Sequence, residues 1–492
     1  MGLFRIIKES SVYTIALLLP PMVSIFTLPI FTRFLSPEEY AIITLVLTFS
    51  AIAGIAISLQ LQAAMLRFTT GFIARNEIEN AKRYFSSILF FLLAAVLLGF
   101  FVFELLGPGL ISLLFSNEKL QYAPYFRLGI IDLSITAVYG VFQGLLRARR
   151  QAGLFLSASI LYLGATVGSK LVLVAMLHQG VFGMLIGTII GDAVLVVYMI
   201  ILQHAWIVRS FDRGYIRQAI IYSLPLIPHA AATFIFTLSN RIILEHYVAL
   251  AVVGVFGIAS SIALVPILLV DSFGIAYGPH FIHGAELDRQ RLCDETKYII
   301  GIWWVGVVAM MMGAYLFSEE AIKLLVAPAY YSAAMLVPIL SLAAVGRGLY
   351  VFAGSPLFLD KTKLVPLVTV GAGIASLGLN FLLIPRFGVL GAAWATVAAH
   401  GVTFGISHYL SSRRVFSLQF PWKRMSLIVG WAVVVLIITF MGFGYLHGVL
   451  GIIRDGIAVV VFIVIGLYIQ DRMIYSKIRT VMRNPRLRFN TA

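Results

Sequence analysis

Long apolar segments separated by short polar connections run along almost the whole chain. Each is about 20 residues long, the length that a helix needs to cross a hydrocarbon core of about 30 Å. The pattern therefore predicts fourteen transmembrane helices. Their predicted ranges are 11–34, 39–62, 85–106, 122–146, 153–177, 181–206, 218–240, 248–278, 298–317, 331–353, 364–384, 389–410, 423–446 and 451–470.

Composition supports a membrane protein of the all-α polytopic class. Of the 492 residues, 61% are hydrophobic and only 12% are charged, whereas about a quarter of the residues in a soluble globular protein are charged. The longest polar interruption, 279–297, is too short for a catalytic domain. We therefore expect no enzyme, because a polytopic glycan transferase or polymerase would display catalytic carboxylates on a sizeable loop.

Basic residues are distributed unevenly between alternate connections. On one face the connections and the tail hold 27 of the 36 Lys and Arg residues, and on the other face they hold six. Short loops rich in Lys and Arg stay in the cytoplasm. We therefore expect a multi-pass protein of a bacterial or archaeal cytoplasmic (inner) membrane, with both termini cytoplasmic. The net charge of +15 then reflects topology and attraction to anionic membrane lipids, not binding to nucleic acid.

The chain also repeats itself at an offset of 208 residues. Each copy contains six spans, so both copies have the same orientation and are predicted to be related by a pseudo-twofold axis along the membrane normal. The predicted domains are two six-helix bundles, 1–210 and 211–414, followed by 415–492 with a helix pair and a basic cytoplasmic tail. Repeats of this kind usually enclose a transport path where they meet. Coinciding pairs are Pro20 with Pro228, Phe26 with Phe234, Arg33 with Arg241, Gly180 with Gly388, and Thr188 with Thr396.

Prolines occur in the opening helix of each copy. Pro20 and Pro21 lie in the first predicted span, and Pro225 and Pro228 lie in the seventh. Proline removes a backbone donor and clashes with the preceding turn, so each helix should bend there. We expect these bends to serve as hinges, with static kinking as the alternative.

Charged residues inside the spans are candidates for contact with a substrate, because a charge at mid-membrane costs about 2.5–3.5 kcal/mol. Basic residues outnumber acidic ones, which suits an anionic substrate. Structural ion pairs, such as Lys170 with Asp132 or Asp192, are the alternative. The candidates for substrate binding are Arg33, Lys170, Arg241 and Arg347, and those for ion coupling are Asp132, Asp192 and Asp271. We expect no metal site and no cofactor.

Three motifs resemble polysaccharide transporters of the Wzx type, O-antigen or oligosaccharide flippases in the superfamily that also holds multidrug extruders and lipid II flippases. They are LPIFTRFLSPEEYAIITL at 28–45, SLPLIPHAAATFIFTLSNRIIL at 223–244 and IPRFGVLGAAWAT at 384–396. The chain departs from many members at Asn240, where they have Asp.

The resemblance implies movement of an undecaprenyl-pyrophosphate-linked oligosaccharide from the inner to the outer leaflet by alternating access, for surface polysaccharide or lipopolysaccharide biosynthesis. It also implies that basic residues in the lumen bind the pyrophosphate, here Arg33, Arg241 and Lys170. H⁺ or Na⁺ and glycan-assembly proteins are further expected partners. A cation-coupled multidrug exporter and a glycan transferase or polymerase are the alternatives.

Overall fold

The computed structural model describes residues 19–116, 121–443 and 448–470. Within these ranges the chain is helical and contains no strand, which confirms the all-α prediction. The helices are α1 Leu19–Phe34, α2 Pro37–Ser58, α3 Leu61–Ala74, α4 Ile78–Leu114, α5 Ala123–Ala148, α6 Ala152–Lys170, α7 Gly180–Gln203, α8 Arg213–Ser223, α9 Ile227–Glu245, α10 Leu250–Leu287, α11 Arg289–Leu316, α12 Ser318–Leu325, α13 Leu336–Ser341, α14 Ala343–Asp360, α15 Val365–Arg414, α16 Trp422–Phe443 and α17 Val449–Gln470.

The helices confirm a polytopic membrane protein. In the described part of the chain, twelve helical stretches are long and apolar enough to cross a membrane. The predicted spans 364–384 and 389–410 both fall within α15, and α1, Leu19–Phe34, is the described part of the first predicted span. The first predicted span, 11–34, begins outside the described residues. These two points account for the difference between the fourteen predicted spans and the twelve helical stretches counted among the described residues.

The bend in α15 lies at Gly388. Its φ of 53° and ψ of −130° are not helical, and side chains strongly disfavour this conformation. Gly180, which is 208 residues earlier, begins α7 with a φ of 52°. The sequence repeat therefore reappears in the backbone at two glycines that connect consecutive helices.

Helix α2 has clear signals at both ends. Ser36 and Glu39 form a capping box, with the Ser36 amide donating to Glu39 Oε2 at 2.8 Å, and Pro37 is in the first turn. Such reciprocal caps satisfy amides that lack helical partners. The helix stops at Leu59 and Gln60, whose φ values are 47° and 55°. This break separates α2 from α3.

The residues group into two compact units. The first contains the described residues up to Ile262, with Ile322–Ala333 and Thr369–Ala399. Its core includes fully buried Tyr84, Phe85 and Phe142. The second contains Ala263–Ala321, Ala334–Val368 and the described residues from His400 onward, with a core that includes Phe281, Phe352 and Phe462. The division into 1–210, 211–414 and 415–492 stays a prediction.

Candidate functional site

A cavity of about 260 Å³ inside the first unit contains two basic side chains, Lys170 and Arg241. We call it the basic cavity. Helices α1, α2, α6, α7, α9 and α10 all contribute to its wall, so residues far apart in sequence meet there. Hydroxyl groups accompany the two cations. The polar wall residues besides Lys170 and Arg241 are Ser24, Thr27, Tyr40, Thr44, Tyr162, Thr166, Thr188 and Ser261.

Lys170 is positioned by a close approach of α6 to α7. It is the last residue of α6, directly before a π-helical turn at Leu171–Met176. A Cβ added at Gly187 would lie 3.0 Å from the Lys170 amide nitrogen, so only glycine permits this packing. Ser169 Oγ donates to the Gly187 carbonyl at 2.8 Å. The helix ends therefore hold the lysine backbone firmly at the cavity wall.

Arg241 comes from α9 and is held there by its neighbour. Asn240 Nδ2 donates to Thr396 Oγ1 of α15 at 3.2 Å, which fixes this turn of α9. The guanidinium interacts electrostatically with Tyr40, and Ser261 in the same wall donates its hydroxyl to the Gly257 carbonyl at 2.9 Å. Among the described residues, neither Arg241 nor Lys170 has a carboxylate within the 4.0 Å of an ion pair.

A second cavity of about 270 Å³, here called the polar cavity, shares Pro20 and Tyr162 with the basic cavity. Asp192 lines it and accepts a hydrogen bond from Thr136 Oγ1 at 2.8 Å. Its other polar wall residues are Gln62, Tyr139, Gln143 and Ser159. The two cavities together give the first unit a continuous polar region.

Asp132 and Asp192 form a carboxyl pair next to Lys170. The two side chains are close enough to hydrogen-bond with each other, and both attract Lys170 electrostatically. Asp132 Oδ1 is buried without a hydrogen-bond partner. The structure thus places Lys170 near the two carboxylates that the sequence analysis named as its alternative ion-pair partners, although neither lies within the 4.0 Å of an ion pair.

The remaining charged candidates lie elsewhere. Arg33 is exposed near the end of α1, is absent from the wall of the basic cavity, and forms no ion pair with the described residues. In the second unit, Arg347 Nε is 2.7 Å from Asp271 Oδ1 and its guanidinium lies over Tyr350. Both charged side chains are about one third exposed, at 37% and 34%. Within a membrane span, such a pair offsets part of the cost of placing each charge there.

The prolines of the second copy lie at a helix break, whereas those of the first copy lie within the described part of α1. Pro20 lines both cavities near the start of the described part of α1, and Pro21 follows it. Pro225 lies in a 3₁₀ turn, Leu224–Leu226, that separates α8 from α9, and Pro228 is in the first turn of α9. The seventh predicted span is therefore interrupted at its prolines, and the role of these residues as hinges stays a prediction.

Two buried polar clusters are not evident from the sequence. Asn380 Nδ2 donates to Ser239 Oγ at 3.2 Å, and the Oδ1 atoms of Asn380 and Asn240 are buried without partners. Glu245, also buried, accepts hydrogen bonds from the Ser116 amide at 3.1 Å and from its hydroxyl at 2.5 Å. Neutral amides and a carboxylate at a helix end give weak signals in a hydropathy pattern, which explains why they were overlooked.

A family model described as "Polysaccharide biosynthesis protein" matches residues 6–282, more than half of the chain. The chain belongs to this family. Membership confirms the resemblance to Wzx-type polysaccharide transporters that the three sequence motifs indicated. A search of curated protein sequences found no match.

Solved structures share the fold at low sequence identity. Lipid II flippase MurJ in an inward closed conformation has a TM-score of 0.69 and 14% identity, covering 93% of this chain and 98% of that one. An inward-facing multidrug resistance MATE transporter of the MOP superfamily has a TM-score of 0.67 and 17% identity, covering 82% and 98%. A MOP superfamily transporter from Pyrococcus furiosus has a TM-score of 0.52 and 16% identity, covering 82% and 95%. The chain therefore has the fold of MOP superfamily transporters.

Proposed function

We propose that this chain moves an undecaprenyl-pyrophosphate-linked oligosaccharide from the cytoplasmic to the outer leaflet by alternating access. The observation that carries the proposal is the presence of Lys170 and Arg241 in one cavity, where neither forms an ion pair with the residues that the structure describes. Two such cations within a membrane protein favour an anionic ligand. A pyrophosphate group supplies the opposite charge and several acceptor oxygens.

The polar cavity adjoins the basic cavity at Pro20 and Tyr162. Its amide, hydroxyl and carboxyl groups provide donors and acceptors of the kind that sugars bind. We assign the pyrophosphate to Lys170 and Arg241 and keep Arg33 and Arg347 as further substrate contacts. The bond with Asp271 occupies only the Nε of Arg347, so its two Nη groups could donate to a substrate while that bond is kept.

The carboxyl pair is the candidate for ion coupling in this proposal. Two adjacent carboxyl groups can share one proton, since both cannot easily be charged at the same place. Deprotonated, Asp132 and Asp192 compete with the substrate for Lys170, and protonation ends that competition. Asp271 is a third candidate, with its charge balanced by Arg347.

The decisive experiment measures which leaflet contains the lipid-linked oligosaccharide. Cells that lack the gene and carry it on a plasmid are converted to spheroplasts and treated with periodate under non-permeating conditions. We expect oxidation of the lipid-linked glycan with the wild-type gene and protection without it. Equal oxidation in both strains would refute the proposal, and ethidium efflux restored by the gene alone would favour a drug exporter.

A further inference from the structure

An apolar groove with two arginines in its wall lies beside α8 in the first unit. It encloses about 560 Å³. No acidic residue is present in the wall formed by the described residues. The wall consists of Phe91 from α4, Phe211 from the segment before α8, and Arg213, Ile216, Arg217, Ile220 and Ile221 from α8.

Helix α8 is amphipathic, and its two faces have different partners. Ile216, Ala219 and Ser223 are buried, and the helix packs against α3 and α4. Arg213 and Arg217 are exposed and four residues apart, so they lie on one face of the helix. The side chain of Ile221 is 61% exposed beside them. This face therefore presents positive charge and apolar surface together.

The two arginines have no anionic partner in the described part of the protein. Neither forms an ion pair, and like charges four residues apart on a helix repel each other. The adjacent Asp212 uses its Oδ1 to cap α8, accepting from the amides of Gly214 at 2.7 Å and Tyr215 at 3.3 Å. An external anion would relieve the repulsion.

The segment that forms one side of the groove is fixed to α4. The Val208 amide donates to Ser86 Oγ at 2.8 Å, and the Asp212 amide donates to Ser87 Oγ at 2.9 Å. Both serine side chains are buried. Phe211 is thereby held in place, although it is 59% exposed. The groove is preformed, which lowers the entropic cost of binding a ligand.

We propose that this groove binds one anionic phospholipid. The phosphate lies between Arg213 and Arg217, and an acyl chain lies along Phe91, Ile220 and Ile221. The topology predicted from the basic residues places α8 at the cytoplasmic face, where anionic headgroups attract basic segments. This proposal is independent of the cargo and of the two cavities.

The test compares lipid binding by native mass spectrometry of the full-length protein in detergent. Phosphatidylglycerol and phosphatidylethanolamine with identical acyl chains are added at equal concentrations. We expect preferential binding of phosphatidylglycerol. R213Q/R217Q should lose roughly 30-fold in affinity for this lipid, because each arginine near an anionic headgroup contributes about fivefold. Binding of phosphatidylethanolamine should not change.

Three controls make the result specific. K361Q/R414Q removes two other exposed cations from the predicted cytoplasmic face and should leave phosphatidylglycerol binding unchanged. I221S tests the acyl-chain contact and should weaken binding of both lipids. Soluble sn-glycerol 3-phosphate should fail to displace the lipid. If R213Q/R217Q aggregates on gel filtration, R217Q and I221S take its place.

Wild-type lipid preference in R213Q/R217Q would overturn the proposal. An equal loss in K361Q/R414Q would also overturn it, because the effect would then reflect overall charge. Displacement by glycerol 3-phosphate would identify a site for free phosphate compounds and would overturn the lipid assignment.

Discussion

Lys170 and Arg241 each have a positive charge that no described carboxylate neutralises by direct contact. A single cation at mid-membrane costs about 2.5–3.5 kcal/mol even on a lenient scale, so two of them in one cavity need a compensating role. Binding a dianionic group provides one. The Thr, Ser and Tyr hydroxyls around them add neutral donors without adding opposing charge.

The first prediction concerns these two cations. K170Q and R241Q should each weaken binding of undecaprenyl pyrophosphate about ten- to a hundredfold, because each removes a charge-assisted hydrogen bond. Binding is measured by native mass spectrometry, and export by the periodate assay. R241K retains the charge and should retain part of the affinity.

R127Q is the matched control for this experiment. Arg127 is also a cation in a predicted span, but it pairs with Glu104 at 2.9 Å and is absent from both cavity walls. Its loss should leave binding unchanged. A loss of affinity in R127Q equal to that in K170Q would show that the basic cavity is not the binding site.

The second prediction concerns pH. At high pH the carboxylates of Asp132 and Asp192 are charged and compete for Lys170, so D132N/D192N should bind an anionic ligand more tightly than the wild type does. At low pH the wild-type carboxyls are protonated and the difference should disappear. Undecaprenyl pyrophosphate binding is measured between pH 5 and pH 9. Parallel pH profiles for both proteins would contradict the predicted competition.

The sequence indicates the candidate residues more readily than their arrangement. Lys170 and Asp192 stand out as charges in apolar helices, so composition alone selects them. Their proximity to Asp132 depends on how α5, α6 and α7 pack, and no local pattern determines this. Glu245 lies beyond the end of the predicted span 218–240, where a charged residue is not unusual, and only the structure shows that it is buried and accepts hydrogen bonds from Ser116.

At the scale of helices, several elements of this chain are interrupted or bent. α2 stops at Leu59 and Gln60, α8 and α9 are separated by a 3₁₀ turn, and α15 bends at Gly388. The hydropathy pattern located only the bend at Gly388, which falls between the predicted spans 364–384 and 389–410. The prolines indicated the break before α9, and nothing in the sequence indicated the break at Leu59 and Gln60. The hydropathy pattern underestimated α4, which begins at Ile78 and not at 85, because the polar first turns of a helix carry little apolar signal.

The third prediction tests the bend in α15. G388A should lower the free energy of unfolding by about 1–3 kcal/mol, because the φ and ψ at this position strain any residue with a side chain. A steric clash with neighbouring residues is not expected, since the nearest atom to an added Cβ is Val248 Cγ1 at 3.5 Å. Stability is measured by thermal unfolding in detergent.

G401A is the control for the bend, because an added Cβ there meets no atom within 4 Å. It lies in the same helix, where alanine is favoured over glycine, so it should be neutral or slightly stabilising. Equal melting temperatures for G388A and the wild type would show that the bend does not depend on glycine.

For the whole molecule, the membrane itself supplies energy for export in the proposed direction. A head group with about two negative charges gains about 2.3 kcal/mol per charge when it moves outward across 100 mV, inside negative. This total of roughly 5 kcal/mol favours net outward movement of the head group as the protein alternates between its conformations. The uneven distribution of basic residues predicts the orientation that such a directional process requires.

The fourth prediction follows from this energy. In proteoliposomes with undecaprenyl-pyrophosphate-linked oligosaccharide, a potassium gradient with valinomycin should shift the lipid toward the positive side, by up to about a thousandfold at 100 mV. Periodate accessibility measures the distribution. An unchanged distribution over this range of potentials would show that the transported group crosses without net charge.

The proposed mechanism implies that small anions that bind in the basic cavity inhibit transport. Small dianions that lack a lipid tail match the charges of Lys170 and Arg241, so free inorganic pyrophosphate competes with the cargo in the proposed mechanism. A cell with excess pyrophosphate would then slow the growth of its own surface coat. Bisphosphonates, which resist hydrolysis, are the natural starting scaffold for a blocker of this transporter.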